Sequence, residues 1–277
     1  MKILILGGQG MAGHMLTGYF LNKKQYEVHY TTRDPHDSKS IYLDVIDCQK
    51  LEKIIEKLRP NIVINCVEIL NEYAENNTLL ALQVNSLLPH QLVKLIERHH
   101  GKLIQISTDC VFSGKKGGYI ETDIPDGTLV YSKSKQLGEI INDKHLTIRT
   151  SIIGPELKED GTGLFLWFMK QIGKVKGYKN VLWNGVTTLE LARAIEEMIK
   201  QQITGLYHLG SKQKISNYSL LRLVQEVFDK NDVEIICDPA ITLDRTIRST
   251  RADFQYDIPD YKQMLITLKK WIENQNK

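Results

Sequence analysis

Several things are missing from this chain, and each closes off a class of protein. Its four cysteines, Cys48, Cys66, Cys110 and Cys237, lie far apart and form no C-x-x-C pair. Neither a disulfide framework nor a zinc site is suggested, no metal is expected, and free thiols fit a reducing, cytoplasmic setting. No run of about 18 apolar residues occurs, so no membrane span is expected. The first apolar stretch runs straight into Gly7, which leaves no room for a signal-peptide core. There is no dense basic run either. The net charge is only +3, and Lys115-Lys116 and Lys269-Lys270 are isolated pairs, read as solvated surface rather than a nucleic-acid patch. Repeats and low-complexity linkers are absent. What is left is 277 residues, 42% hydrophobic and 25% charged, an ordinary globular composition. That length buries a sizeable core in one large or two unequal domains.

Against this background one stretch stands out. Ile3-Leu4-Ile5-Leu6 suits a buried parallel strand. Gly7-Gly8-Gln9-Gly10-Met11-Ala12-Gly13 follows it, and Met11–Asn22 shows apolar residues at helical spacing. Strand, glycine turn and helix bring a helix N-terminus, with its unpaired N–H groups and partial positive charge, up to a phosphate. Glycines permit the tight turn, close approach of a pyrophosphate and packing of helix on strand. The pattern predicts a dinucleotide site.

Strands and helices then alternate, which predicts an α/β, doubly wound parallel sheet. Strands are expected at Tyr26–Thr32, Ser40–Leu43, Asn61–Cys66, Lys102–Ser107 and His145–Arg149. Helices are expected at Cys48–Leu58 (capped by Asp47), at about Leu79–His100 and from near Val130. Residues 1–150 form the dinucleotide-binding domain in this reading, completed by about 178–203. Residues 151–277 supply a smaller α/β lobe, with helices at Gly161–Lys174, Thr188–Gln201, Tyr218–Asp229 and Asp260–Asn274 and a strand at Leu206–Leu209.

Tyr131-Ser132-Lys133-Ser134-Lys135 is the second signal. Tyr131 and Lys135 are four apart on a predicted helix and face the same way. A free phenol, with a pKa of about 10, exchanges protons poorly at neutral pH. A neighbouring ammonium favours the phenolate and is expected to lower that value, fitting Tyr131 for proton exchange with an alcohol or carbonyl oxygen. Ser107-Thr108 closes the preceding strand at the carboxyl edge, where ligands bind such sheets, and a hydroxyl there can hold a substrate carbonyl.

These pieces resemble the extended short-chain dehydrogenase/reductase family, and further motifs narrow the likeness to the dTDP-4-dehydrorhamnose reductases. Ser107-Thr108-Asp109-Cys110-Val111-Phe112-Ser113-Gly114 with Tyr119-Ile120-Glu121-Thr122-Asp123 is similar to their S-T-D-Y-V-F-x-G … Y-x-E-x-D stretch. Tyr131–Lys135 with Gly138-Glu139 resembles Y-G-x-x-K-x-x-G-E. Arg149-Thr150-Ser151, Asn184–Thr188 with Glu190-Leu191-Ala192, and Gly205-Leu206-Tyr207-His208 follow in the family's order. The resemblance implies a catalytic group of Thr108, Tyr131 and Lys135. It implies a cofactor site of Gly7, Gly10, Met11, Ala12 and Gly13 at the pyrophosphate, Asp44 and Val45 at the adenine, and Asn65, Cys66 and Val67 at the nicotinamide side, with Tyr131 and Lys135. Substrate contacts would come from Thr108, Asp109, Val111 and Phe112. Four positions depart from the family pattern: Cys110 for tyrosine, Ser132 for glycine, Thr187 for proline, and Glu68 where small residues are common, which implies an altered nicotinamide pocket.

The implied activity is NADPH-dependent reduction of a nucleotide-linked 4-keto-6-deoxy sugar in deoxysugar and polysaccharide biosynthesis. NADPH is favoured because Arg33 lies about 20 residues beyond Gly13, where a selector is expected; adjacent Asp34 keeps NADH as the alternative. An epimerase or epimerase–reductase, with Cys110 as an added acid/base thiol, is one rival. A non-catalytic NADP-binding regulatory subunit is another. Trp167, with Phe165 and Phe168, could wall a base or belong to the core. Arg245 and Arg248 could grip a diphosphate or stay solvated. Asp44 alone reads equally as a turn or cap residue. A nucleotide sugar is the expected partner, and a homodimer the expected assembly.

Overall fold

The computed structural model describes residues 1–275, which form two compact units. The first unit comprises Met1–Ser113, Ile124–Arg149 and Gln202–Tyr207; the second comprises Gly114–Asp123, Thr150–Gln201 and the described residues from His208 onward. The units interleave along the chain.

The central sheet has seven strands. In chain order the first six are β1 (Lys2–Leu6), β2 (Glu27–Thr32), β3 (Ile41–Tyr42), β4 (Ile62–Asn65), β5 (Lys102–Thr108) and β6 (Leu146–Thr150). The seventh is the edge strand Gly205–Leu209. Their spatial order is edge strand, β6, β5, β4, β1, β2, β3. The chain starts at the centre, winds outward one way and then returns to build the other half. That order places a switch point between β1 and β4. β1 pairs in parallel with β2 and β4, and β4 with β5. β1 and β4 are almost wholly buried, which is why they read as continuous apolar runs.

The helices of this unit are α1 (Met11–Leu21), α2 (Cys48–Leu58), α3 (Asn71–Asn76), α4 (Thr78–Ala81), α5 (Leu88–Glu97) and α6 (Val130–Leu137). Asp47 caps α2 by accepting the Lys50 amide at 2.9 Å. One face of the sheet is sealed by Leu51 and Ile55 of α2 with Leu88, Leu92 and Ile96 of α5. The single helix expected over about Leu79–His100 is instead broken: a π-helical segment, Leu82–Leu87, joins α4 to α5.

In the second unit Gly173–Trp183 is the middle strand of a three-stranded sheet, parallel to Val233–Asp244 and antiparallel to Ile215–Ser216. The aromatic helix ends at Lys170 rather than Lys174, since Gln171 already has extended backbone (φ −73°, ψ 150°) and a strand begins at Gly173. Phe165 and Phe168 pack with Leu220, Leu221, Val224 and Leu265 of the helices Asn217–Val227 and Tyr261–Gln275. Among the described residues no helix is long and apolar enough to cross a membrane.

Candidate active site

The glycine turn is held by sterics. Gly7 sits at φ 77°, a conformation that favours glycine. A Cβ on Gly13 would stand 2.0 Å from the Gly7 carbonyl oxygen, so only glycine lets α1 approach β1 this closely. A Cβ on Gly10 would meet no atom nearer than that oxygen at 3.4 Å, and so would project into the open space in front of the turn. Gly10 has extended backbone and caps α1 without a side chain, and no acidic residue occupies the first turn. The Met11, Ala12 and Gly13 amides belong to the first turn, whose N–H groups lack helical acceptors. These features fit a pyrophosphate.

The turn is braced from β2. Thr31 accepts the Gly7 amide on its hydroxyl and the Gly8 amide on its carbonyl. Thr32 donates to Gln9 Oε1 at 2.8 Å, and Gln9 donates in turn to Asp37. Asp37 also accepts the Tyr30 hydroxyl at 3.0 Å. Sequence reasoning missed this carboxylate because it lies past the expected selector. Arg33 is exposed, and Asp34 turns inward to accept the His36 amide. Asp44 accepts the Ile46 amide at 3.3 Å, and Val45 is buried against α2 and its neighbours.

The carboxyl ends of β4 and β5 deliver the reactive groups. Asn65 is buried and donates to Gln105 Oε1 at 2.8 Å, tying β4 to β5. Its Oδ1 accepts the Val67 amide, which turns the chain into the loop bearing Cys66, Val67 and Glu68. At the end of β5, Thr108 caps the short helix Asp109–Val111 by accepting the Cys110 amide, and its hydroxyl donates to Asp109 at 3.2 Å. Val111 and Phe112 are buried. Ser107 is occupied elsewhere: it donates to Glu139, which also takes two hydrogen bonds from Arg149, and the Arg149 guanidinium lies over the Phe112 ring.

Tyr131 and Lys135 are one turn apart on α6, and both are buried, at 5% and 3% exposure. The Tyr131 hydroxyl donates to Glu68 Oε2 at 2.9 Å, and the Lys135 ammonium reaches the same oxygen at 3.2 Å. Lys135 also donates to the Ile106 carbonyl at 2.7 Å. The sequence-based expectation of a lowered phenol is reversed. Burial, then the Glu68 carboxylate, drives Tyr131 well above the usual phenol value, with only Thr108 pulling the other way through its hydroxyl. Burial pushes the Cys66 thiol up to about 12, assisted by Glu68 and opposed by Lys135, so this thiol is inert at neutral pH.

Behind α6 lies a support that sequence reasoning did not find. Asn85, in the π-helical segment, is 1% exposed. It accepts the Ile69 amide, and its Nδ2 donates both to the Ile69 carbonyl and to Ser134 Oγ. One side chain thus ties the Glu68 loop to the helix of Tyr131 and Lys135. Glu75 of α3 accepts the Tyr131 amide at 3.3 Å, covering a free donor at the start of α6. The π segment itself was the available signal only in hindsight, since such bulges concentrate at functional sites.

The remaining candidates lie in the second unit. Trp167 is 40% exposed, while Phe165 and Phe168 belong to the core. Arg248 is exposed, and its amide donates to the Tyr119 carbonyl at 2.7 Å. Arg245 is partly buried beside Gly114.

The RmlD substrate binding domain family matches residues 1–254. The chain is 32% identical over 156 residues to the dTDP-4-dehydrorhamnose reductase of Aggregatibacter actinomycetemcomitans, covering 54% of this chain and 51% of that protein. The match thus spans about half the length of that curated reductase. It is 24% identical to the Danio rerio protein named methionine adenosyltransferase 2 subunit beta, over 82% of this chain and 74% of that one. Its fold superposes on dTDP-4-dehydrorhamnose reductase from Bacillus anthracis str. Ames, solved in complex with NADP, at a TM-score of 0.82 with 20% identity, covering 98% and 99% of the two chains. The chain belongs to the RmlD substrate binding domain family.

Proposed function

We propose that this protein is an NADPH-dependent reductase of a nucleotide-linked 4-keto-6-deoxy sugar. The observation that carries the reading is the gathering of a phenol, an ammonium and a small hydroxyl, Tyr131, Lys135 and Thr108, at the carboxyl edge of a sheet whose first turn is shaped for a pyrophosphate. Family membership supports it, as does the name dTDP-4-dehydrorhamnose reductase of a curated relative 32% identical over 156 residues.

The dinucleotide would be held by the backbone of Gly7, Gly10, Met11, Ala12 and Gly13 and by Lys135. When bound in reduced form it supplies a hydride to the ketone carbon. The carbonyl bond pair then moves onto oxygen, and Tyr131 delivers its hydroxyl proton there. The phenol arrives protonated at neutral pH, as a general acid must. Lys135 stabilises the tyrosinate left behind, because an ammonium favours the charged form of a nearby acid. Thr108 orients the substrate oxygen, and a proton from water restores Tyr131.

The test mixes purified protein and NADPH with a panel of 4-keto-6-deoxy nucleotide sugars and follows the absorbance of the reduced cofactor. Loss of absorbance with at least one sugar supports the reading; none with any sugar, despite measurable NADPH binding, contradicts it. That second outcome fits a nucleotide-binding regulatory subunit. The occupation of both Tyr131 and Lys135 by Glu68, and the likeness to a protein named as a subunit, favour keeping that alternative in the experiment.

A further inference from the structure

Glu68 has no part in the chemistry outlined above, yet its side chain is in direct contact with both of its central groups. A single carboxylate oxygen, Oε2, accepts the Tyr131 hydroxyl at 2.9 Å and pairs with the Lys135 ammonium at 3.2 Å. The loop bearing it is fixed at both ends, by Asn65 Oδ1 on the Val67 amide and by the two-sided clasp of Asn85 on Ile69. Lys135 is fixed from the opposite side by the Ile106 carbonyl. The contact is therefore anchored on three separate elements and is not the chance meeting of two mobile side chains.

We propose that Glu68 is a positioning residue of the acid/base group: its carboxylate clamps phenol and ammonium in one geometry by holding the hydroxyl and the ammonium on a single oxygen. The proposal deepens the reductase reading and rests on it.

The groups facing the phenol are Glu68 from the β4 loop, Thr108 and Cys110 from the end of β5, and Glu75 of α3 at its amide, with Lys135 of its own helix on the same Glu68 oxygen. A neighbouring cation should release the phenol proton, and a neighbouring anion should retain it. With both present, the anion touches the phenol directly, accepting its hydroxyl at 2.9 Å, and adds to burial in raising it. Reduction needs a protonated phenol to start, and alcohol oxidation needs a phenolate. Removing the carboxylate while leaving Lys135 in place should therefore free the ammonium to act as sequence reasoning expected.

The experiment compares wild type, Glu68→Gln, Glu68→Ala and Glu68→Asp by alkaline titration of tyrosinate absorbance on folded protein. Tyr131→Phe versions of each identify the Tyr131 signal by difference. In Glu68→Gln and Glu68→Ala the Tyr131 phenol should ionise at least one pH unit lower, a tenfold change in proton concentration, and Glu68→Asp should fall between them and wild type. With the sugar substrate, the basic limb of the kcat/KM profile should move in the same direction by a similar amount. Near-UV dichroism shows which variants retain native packing, and either Gln or Ala alone suffices. An unmoved Tyr131 titration in the folded variants overturns the proposal. A moved phenol in a protein that turns over no keto sugar sinks the reductase reading and leaves the clamp standing. Turnover with an unmoved phenol does the reverse.

Discussion

A Cβ placed on Gly138 would stand 1.9 Å from the carbonyl oxygen of Asn85. The end of α6 thus meets the π-helical segment backbone to backbone, with no room for a side chain between them. Ser86 Oγ donates to the Ser134 carbonyl at 2.8 Å across the same contact. This contact sets the height of Tyr131 and Lys135 above the sheet.

Gly138→Ala should accordingly cost about 3 kcal/mol, the upper part of the range for overpacking, because the obstacle is backbone and cannot rotate away. Urea denaturation measures it. A loss within the ordinary surface range of about 0.5 kcal/mol would show that the two segments separate easily.

Arg149 and Glu139 form a nearly fully buried pair, each side chain 3% exposed. Arg149→Met leaves Glu139 with Ser107 alone and should destabilise by about 3 kcal/mol or more. Adding Glu139→Gln should recover part of that loss, since the stranded charge is gone. A double variant no more stable than Arg149→Met would contradict the pairing as the cause.

Lys102 supplies a pH test. Burial pushes it down from an ordinary 10.5 to about 8, its ammonium donating to the Ile203 carbonyl. Between these values the unfolded chain binds more protons than the folded one, so this residue makes stability rise with pH across that window, and its full cost is present below about 8. The stability difference between wild type and Lys102→Met should shift in favour of wild type from pH 8 to 10.5, read from urea midpoints. A difference independent of pH would contradict the burial argument.

Arg33 and Asp37 stand at the end of β2 with opposite charge, Arg33 exposed and Asp37 tied to Tyr30 and Gln9 of the turn. An extra phosphate on the cofactor is drawn to one and repelled by the other. Arg33→Ala should weaken NADPH relative to NADH by about three- to tenfold, the scale of one partly screened charge. Asp37→Asn should shift the ratio the other way. Dissociation constants for both cofactors, measured by fluorescence, check the pair.

The parts of the site written in local chemistry were legible in the sequence. Gly7, Gly10 and Gly13 announce a turn because glycine has few other uses directly after a buried strand, and Tyr131 and Lys135 announce a shared helix face through their spacing. The sign of the Tyr131 shift was not legible. It depends first on burial of the hydroxyl and then on Glu68, which is 63 residues away and arrives through sheet topology. The same holds for Asn85, whose helical sequence context hides a break that only its bonds to Ile69 and Ser134 explain. In the second unit Gly173–Trp183 mixes lysines with scattered apolar residues, so its strand character comes from pairing with Val233–Asp244 rather than from any periodicity of its own.

The most direct test replaces Tyr131 by Phe and measures NADPH binding and keto-sugar reduction side by side. The account predicts NADPH affinity within about threefold of wild type and a kcat lower by about 10²-fold or more, the usual contribution of a positioned acid. A Tyr131→Phe protein that reduces the sugar at the wild-type rate would contradict it.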